Sequence, residues 1–227
     1  MSSLVQGLAS LVTAAAMLFS ETANTAAPQN DFSGNLFLVN RQWRVSKYYV
    51  PSGMRTVEVT GKQSMRSEAA AAFEMMAEDC DEATGKRMTA VSGFRSYSKQ
   101  EAIYANKLKR VKTEAKADEY VARPGASEHQ TGNAMDVGQD GEPTVVDSFA
   151  NTAVGKWLKE NCWKYGFILR YGQDWQKITG YKWESWHVRY VGTEVAKEIH
   201  EDPQPFETWL LNERAERLWT ILGVNEE

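Results

Sequence analysis

Cysteine and histidine are scarce in this chain, and positive charge is not in excess. The 227 residues hold two cysteines, Cys80 and Cys162, with no CxxC pair, which excludes a thiolate zinc knuckle. Each falls in a helix-like pattern that suits a small buried hydrophobe, and a disulfide between them is left open. The net charge of -4 leaves no basic footprint for nucleic acid, and the run Lys107-Leu108-Lys109-Arg110 reads as a solvated helix face. No internal repeat or low-complexity tract follows residue 30. Only three histidines are present: His129, His187 and His200.

What the chain does have is enough length for one well-buried domain and eight tryptophans, suited to core packing or to an aromatic rim. Its first twenty residues carry no charged side chain, and Leu4 to Phe19 is largely apolar. That stretch resembles a secretory signal or an anchoring segment, although a basic start is missing. Residues 1–30 are therefore set apart as a leader, residues 31–227 as a single domain, and an extracytoplasmic location is expected.

Periodicity gives a mixed set of elements. Asn35 to Val45 and Arg55 to Gly61 read as extended. Arg66 to Gly85 reads as a helix with Ala70, Phe73, Ala77 and Cys80 on one face and Gly85 just past its end. Met88 to Gly93 is a short buried strand. Ser98 and Glu101 have the spacing of a capping box opening the next helix, and Pro124 ends the helical stretch after it. Ala134 to Val137 reads as a strand, and Thr152 to Phe167 as a helix closed by Gly166. Phe167 to Tyr171 and Trp183 to Gly192 are strands, followed by helices around Thr193 to His200 and Phe206 to Leu222. Too few regular βαβ units are present for a doubly wound sheet, so the expectation is an α+β domain on a small, mostly antiparallel sheet.

One segment bears chemistry without an evident structural job. In "SEHQTGNAMDVG", Ser127 to Gly138, His129 precedes by seven residues an aspartate set in an apolar stretch, Ala134-Met135-Asp136-Val137. A catalytic zinc site takes three nitrogen or oxygen ligands and keeps a position for water. His200 lies in a charged helical stretch and reads as solvated. His187 lies in an aromatic strand, three residues after Glu184, and a carboxylate beside the metal is what metal-assisted hydrolysis needs. From the residues alone, two satisfied core or rim histidines are the default reading over a metal site; each spacing is weak by itself, and only the two together suggest ligation.

Taken together, Ser127-x-His129-x-x-Gly132-x-Ala134-x-Asp136 and Glu184-x-Trp186-His187 resemble the zinc D-alanyl-D-alanine carboxypeptidases of the VanY type. These share a VanX-type, Hedgehog-like fold with the LD-carboxypeptidases. "VSGFRSYSKQ" (Val91 to Gln100), "GKWLKEN", "YGFILRY" and "AKEI" fit in the same order, so the likeness spans roughly residues 35–210. The resemblance implies His129, Asp136 and His187 as ligands of one Zn2+ at the sheet, Glu184 as general base, and Arg95 as the cation that holds the oxyanion. It also implies Ser127 and Gln100 as substrate-binding residues, whereas the residues alone read as a turn serine and a solvated first-turn glutamine. Trp186 matches an aromatic packed beside a ligand.

The implied activity is removal of the terminal D-alanine from D-Ala-D-Ala-ending peptidoglycan stem peptides by a monomer, with membrane attachment through the leader left open. An LD-carboxypeptidase acting on tetrapeptide stems is the alternative within the family, and a non-catalytic cell-wall-binding module the alternative outside it. Two features depart from the family pattern. Trp183 and Ser185 stand where a smaller aromatic and a proline are expected, which could reshape the pocket rim. Residues three apart on a flat strand face opposite sides, so Glu184 and His187 can share a site only if the strand bulges there or Glu184 reaches in from its end.

Overall fold

The computed structural model describes residues 34–222; the leader expected over residues 1–30 lies outside them. The described residues form six strands, seven α-helices and four 3-10 turns. Strands β1 (Met54–Thr56) and β2 (Ser64–Arg66) form an antiparallel ribbon. Helix α1 (Ser67–Thr84) follows directly, and its C-terminus is closed by Gly85 in the left-handed conformation, φ 64°. Next come β3 (Met88–Ser92), α2 (Tyr97–Val111) and α3 (Glu114–Asp118), then β4 (Ala134–Gln139), α4 (Ala153–Asn161) and β5 (Phe167–Tyr171). The chain finishes with α5 (Gln176–Thr179), β6 (Glu184–Tyr190), α6 (Thr193–Glu201) and α7 (Phe206–Leu222).

Strands β3, β4, β6 and β5 lie in that order in one fully antiparallel sheet, the α+β architecture expected. The two faces of the sheet have different jobs. On one, Met135 and Val137 of β4 and Val188 and Tyr190 of β6 pack against Phe73, Met76 and Cys80 of α1 and Leu158 of α4 in the main core. Alternation then sends Asp136, His187 and Arg189 to the opposite face. There Ile168 of β5 joins Ala196 and Ile199 of α6 and Phe206, Trp209 and Leu210 of α7 in a second core. No helix among the described residues is long and apolar enough to cross a membrane.

Several local expectations need correction. Asn35–Val45 forms no strand: Gly34–Leu36 is a 3-10 turn and the rest is irregular. Its apolar side chains are buried nonetheless, Phe37, Val39 and Val45 together and Leu38 in the second core. The carbonyls of Asn35 and Phe37 accept from the Arg189 guanidinium at 2.9 and 2.8 Å, where a strand would need a backbone partner. The extended segment expected from Arg55 to Gly61 is shorter, because β1 ends at Thr56. The helix cap is Ser96, not Ser98: its side chain accepts from the Lys99 amide at 3.2 Å, leaving Ser98 inside the first turn. The helix expected through Tyr165 tightens to a 3-10 turn from Cys162 onward.

Cys80 and Cys162 are both free and buried, and burial pushes both thiols up to about 12. His200 is exposed as expected but not simply solvated, since its ring stacks on Trp163 with centroids 4.6 Å apart.

Candidate active site

His129 comes from a 3-10 turn, Glu128–Thr131, that delivers the chain into β4. The turn closes at Gly132, φ 76°, a left-handed conformation that favours glycine. The imidazole is aimed by its own hydrogen bond. Nδ1 lies 2.7 Å from the Gly93 carbonyl, so Nδ1 carries the proton and Nε2 presents its lone pair to the interior.

Asp136 and His187 are direct cross-strand partners in β4 and β6. Asp136 Oδ2 is 3.4 Å from His129 Nε2, and Oδ1 is 3.1 Å from His187 Nδ1. One donor atom from each of the three buried residues lies within 4.8 Å of the others. Two imidazole nitrogens and one carboxylate oxygen make a donor set suited to zinc. The buried, otherwise unpartnered Nε2 of His129 is the kind of atom such an ion satisfies.

The strand irregularity expected at Glu184 is present. Pairing with β5 jumps from Leu169↔Val188 to Tyr171↔Glu184, so one residue of β5, Arg170, lies opposite three of β6. The extra length is a bulge, and Glu184 is also the first residue of the strand. Its Oε2 therefore reaches to 3.7 Å from His187 Nδ1. Burial, reinforced by the Asp136 charge, raises the Glu184 carboxyl to about 7 against the opposing pull of His187 and Arg95.

The other groups respond to the same crowding. His129 is lowered to about 4, first by burial and then by the Arg95 charge. Burial would lower His187 as well, but the Asp136 and Glu128 carboxylates outweigh it and raise it to about 9. The two imidazoles hold Asp136 far below the usual carboxylate range, against the effect of burial.

All seven sequence-derived site residues line one cavity of about 200 Å³: Arg95, Gln100, Ser127, His129, Asp136, Glu184 and His187. Arg95 sits just before the Ser96 cap, and its amide donates to the His129 carbonyl at 3.1 Å. Its buried Nε has no partner among the described residues. Gln100 is buried rather than solvated: Nε2 donates to the Ala122 carbonyl at 2.7 Å, while Oε1 is buried and unpartnered. Ser127 is likewise buried. Trp186 packs in the main core and borders the cavity.

The cavity continues into a wider groove of about 1010 Å³ that shares Ile103, Tyr120, Val121, Val145, Glu184 and Trp186 with it. Trp183, the unexpected tryptophan, lines that groove and not the cavity. A separate apolar groove of about 680 Å³, with Trp163, Trp175 and Trp183 in its wall, includes none of the seven residues.

Sequence reasoning missed a buried ionic group directly behind the site. Glu128 Oε1 accepts from Arg170 Nε at 2.8 Å and from Arg189 Nη1 at 3.0 Å, with all three side chains inaccessible to solvent. Arg170 is in turn gripped by both oxygens of Glu207, at 2.6 and 2.9 Å. Tyr171, whose ring packs on His187 with centroids 4.9 Å apart, and Tyr181 also line the cavity unforeseen. The signal was available. Arg170 in "FILRY" and Arg189 in "WHVRYV" are charges in apolar strands, the same anomaly that singled out Asp136.

Comparison with known proteins agrees with this geometry. Residues 62–193 match the sequence model of the family described as VanY: D-alanyl-D-alanine carboxypeptidase. YodJ of Bacillus subtilis (strain 168) is 41% identical over 182 residues, which is 77% of this chain and 66% of that protein. Among solved structures, the LD-carboxypeptidase LdcB is 39% identical with a TM-score of 0.72, covering 78% of this chain and 86% of LdcB. VanYB in complex with D-alanine-D-alanine is 33% identical with a TM-score of 0.68, covering 79% of this chain and 98% of that one. A variant of VanY from the VanB-type resistance cassette has been solved with Zn(II); it is 34% identical, TM-score 0.67, covering 78% of this chain and 98% of that one. The chain spans between about half and two thirds of the length of the curated relatives it matches, 52% to 66%.

Proposed function

Because the chain belongs to the VanY D-alanyl-D-alanine carboxypeptidase family, we propose that it is a zinc metallopeptidase that removes the terminal D-alanine from D-Ala-D-Ala-ending peptidoglycan stem peptides. One observation carries this reading: three convergent ligand-type side chains and an up-shifted carboxylate meet in a single buried cavity beside a free guanidinium edge. His129, Asp136 and His187 would hold one zinc ion. When bound, zinc supplies Lewis-acid chemistry, acidifying water and polarising a carbonyl.

The rest belongs to the chain. Glu184, with a carboxyl near neutrality, accepts a proton from the attacking water and passes it to the departing amine. Arg95 offers its unpartnered Nε and the rest of the guanidinium to the developing oxyanion. Ser127 and Gln100 line the wall on which the substrate's terminus rests. The groove beyond Ile103 and Trp186 gives the remainder of an extended peptide a path out.

The apolar run from Leu4 to Phe19 supports an extracytoplasmic location, secreted or attached through that segment, with the enzyme acting as a monomer. LD-carboxypeptidase activity on tetrapeptide stems is the second reading, favoured by the somewhat greater similarity to LdcB than to VanYB. The purified chain, assayed for D-alanine release on pentapeptide and tetrapeptide stems, decides between them. Release from the pentapeptide is expected. Release from the tetrapeptide alone would replace this reading with the second, and release from neither would leave a wall-binding module.

A further inference from the structure

The buried carboxylate of Glu128 has one oxygen occupied and one free. Oε1 is held by Arg170 and Arg189. Oε2 is buried without a hydrogen-bond partner among the described residues, and so is His187 Nε2. These two unpartnered atoms face each other 3.5 Å apart. On its other side, the imidazole turns Nδ1 toward Asp136 and Glu184.

We propose that Glu128 is a positioning residue for the metal centre: its Oε2 accepts a hydrogen bond from the Nε2–H of His187, fixing the ring with the Nδ1 lone pair toward the ligand site. The inference rests on the zinc reading of the site and deepens it. A ligating histidine whose second nitrogen donates to a carboxylate is locked in both tautomer and orientation, and such partners typically affect metal affinity 10–100-fold. Here the carboxylate is itself fixed by two guanidinium groups, and Arg170 is clamped by Glu207 in the first turn of α7. Asn40 completes the clamp, donating to Glu207 at 3.3 Å. Arg189 holds the same Glu128 oxygen at 3.0 Å without any help from Glu207, so Glu128 stays placed when that clamp is weakened.

His129 is oriented by other means. Its Nδ1 meets a main-chain carbonyl, which no side-chain substitution removes. The two imidazoles are therefore separable by mutation, and Glu128 acts on one of them alone.

The test compares zinc dissociation constants, measured by competition with a chromophoric chelator, for the unaltered chain, Glu128→Gln and Glu207→Gln. Both variants remove a buried charge from the same network, and both are expected to lower Tm. Only Glu128→Gln touches the contact with His187. It should weaken zinc roughly 10–100-fold, whereas Glu207→Gln should leave affinity nearly unchanged.

In the zinc-loaded protein, the His187 Nε2 proton should appear in nitrogen–proton correlation spectra as a slowly exchanging, low-field signal that Glu128→Gln shifts or removes. Equal zinc affinity in the unaltered chain and Glu128→Gln, or equal losses in the two variants, would overturn the proposal. Failure of the unaltered chain to bind zinc would instead overturn the reading beneath it. Should Glu128→Gln not fold, Glu128→Asp keeps the charge but draws the oxygens back by one carbon, and it faces the same criterion.

Discussion

Glu184 combines two demands that conflict in the metal-free protein. As the base proposed for the reaction it must ionise, yet burial raises its carboxyl from an ordinary 4.5 to about 7. A raised acid favours the neutral form in the folded state, so ionising it costs stability. The cost is absent below about pH 4.5, grows between there and pH 7, and is complete above. At 1.36 kcal/mol per pKa unit the ceiling is about 3 kcal/mol, and the partial exposure of the side chain, 18%, keeps the true value below it. In metal-free protein, Glu184→Gln should therefore be the more stable chain at pH 8 and nearly equal at pH 4.5. Denaturant melts at the two pH values check this, and a difference that does not depend on pH would contradict it.

At the scale of elements, the site depends on packing it does not touch. Asp136 and His187 project from β4 and β6 because Met135 and Val188 anchor the other face against α1. Phe73 of α1 is fully buried and meets Phe167 edge-on with ring centroids 6.1 Å apart. Phe73→Ala should cost about 3–5 kcal/mol, read as a lower denaturation midpoint. Stability within 1 kcal/mol of the unaltered chain would show that α1 is not the backing proposed for the sheet.

The elements that were legible in the sequence are those whose pattern coincides with their burial, α1 with its apolar stripe and the short strands β3 and β5. Asn35–Val45 was misread because its alternating apolar side chains are buried in two separate clusters. A buried guanidinium, and not a neighbouring strand, meets its carbonyls. Periodicity reports burial; it does not report which group satisfies the backbone. The bulge in β6 was legible for a different reason, since chemistry required two residues three apart to share a face.

For the whole molecule, the sheet separates a dry core from a chemical face. The ligand-type residues were readable because each is a polar group at a position the pattern reserves for apolar ones. In the ionic group behind them Arg170 and Arg189 carry the same anomaly, but their pairing with Glu128 and Glu207 is visible only in the fold. Removing half of such a group strands a buried charge, a loss of about 3–5 kcal/mol. Arg170→Met should thus lower Tm in the metal-free protein, and an unchanged Tm would mean that solvent reaches the group.

The central claim is that Glu184 performs the proton transfer at a zinc centre built by His129, Asp136 and His187. The most direct test measures D-alanine release from a pentapeptide stem by the unaltered chain and by Glu184→Gln, each with zinc content determined on the same sample. One zinc per chain is expected in both, with a fall in kcat of about 10²–10⁴-fold in the variant. Undiminished hydrolysis by Glu184→Gln at equal zinc content would contradict it.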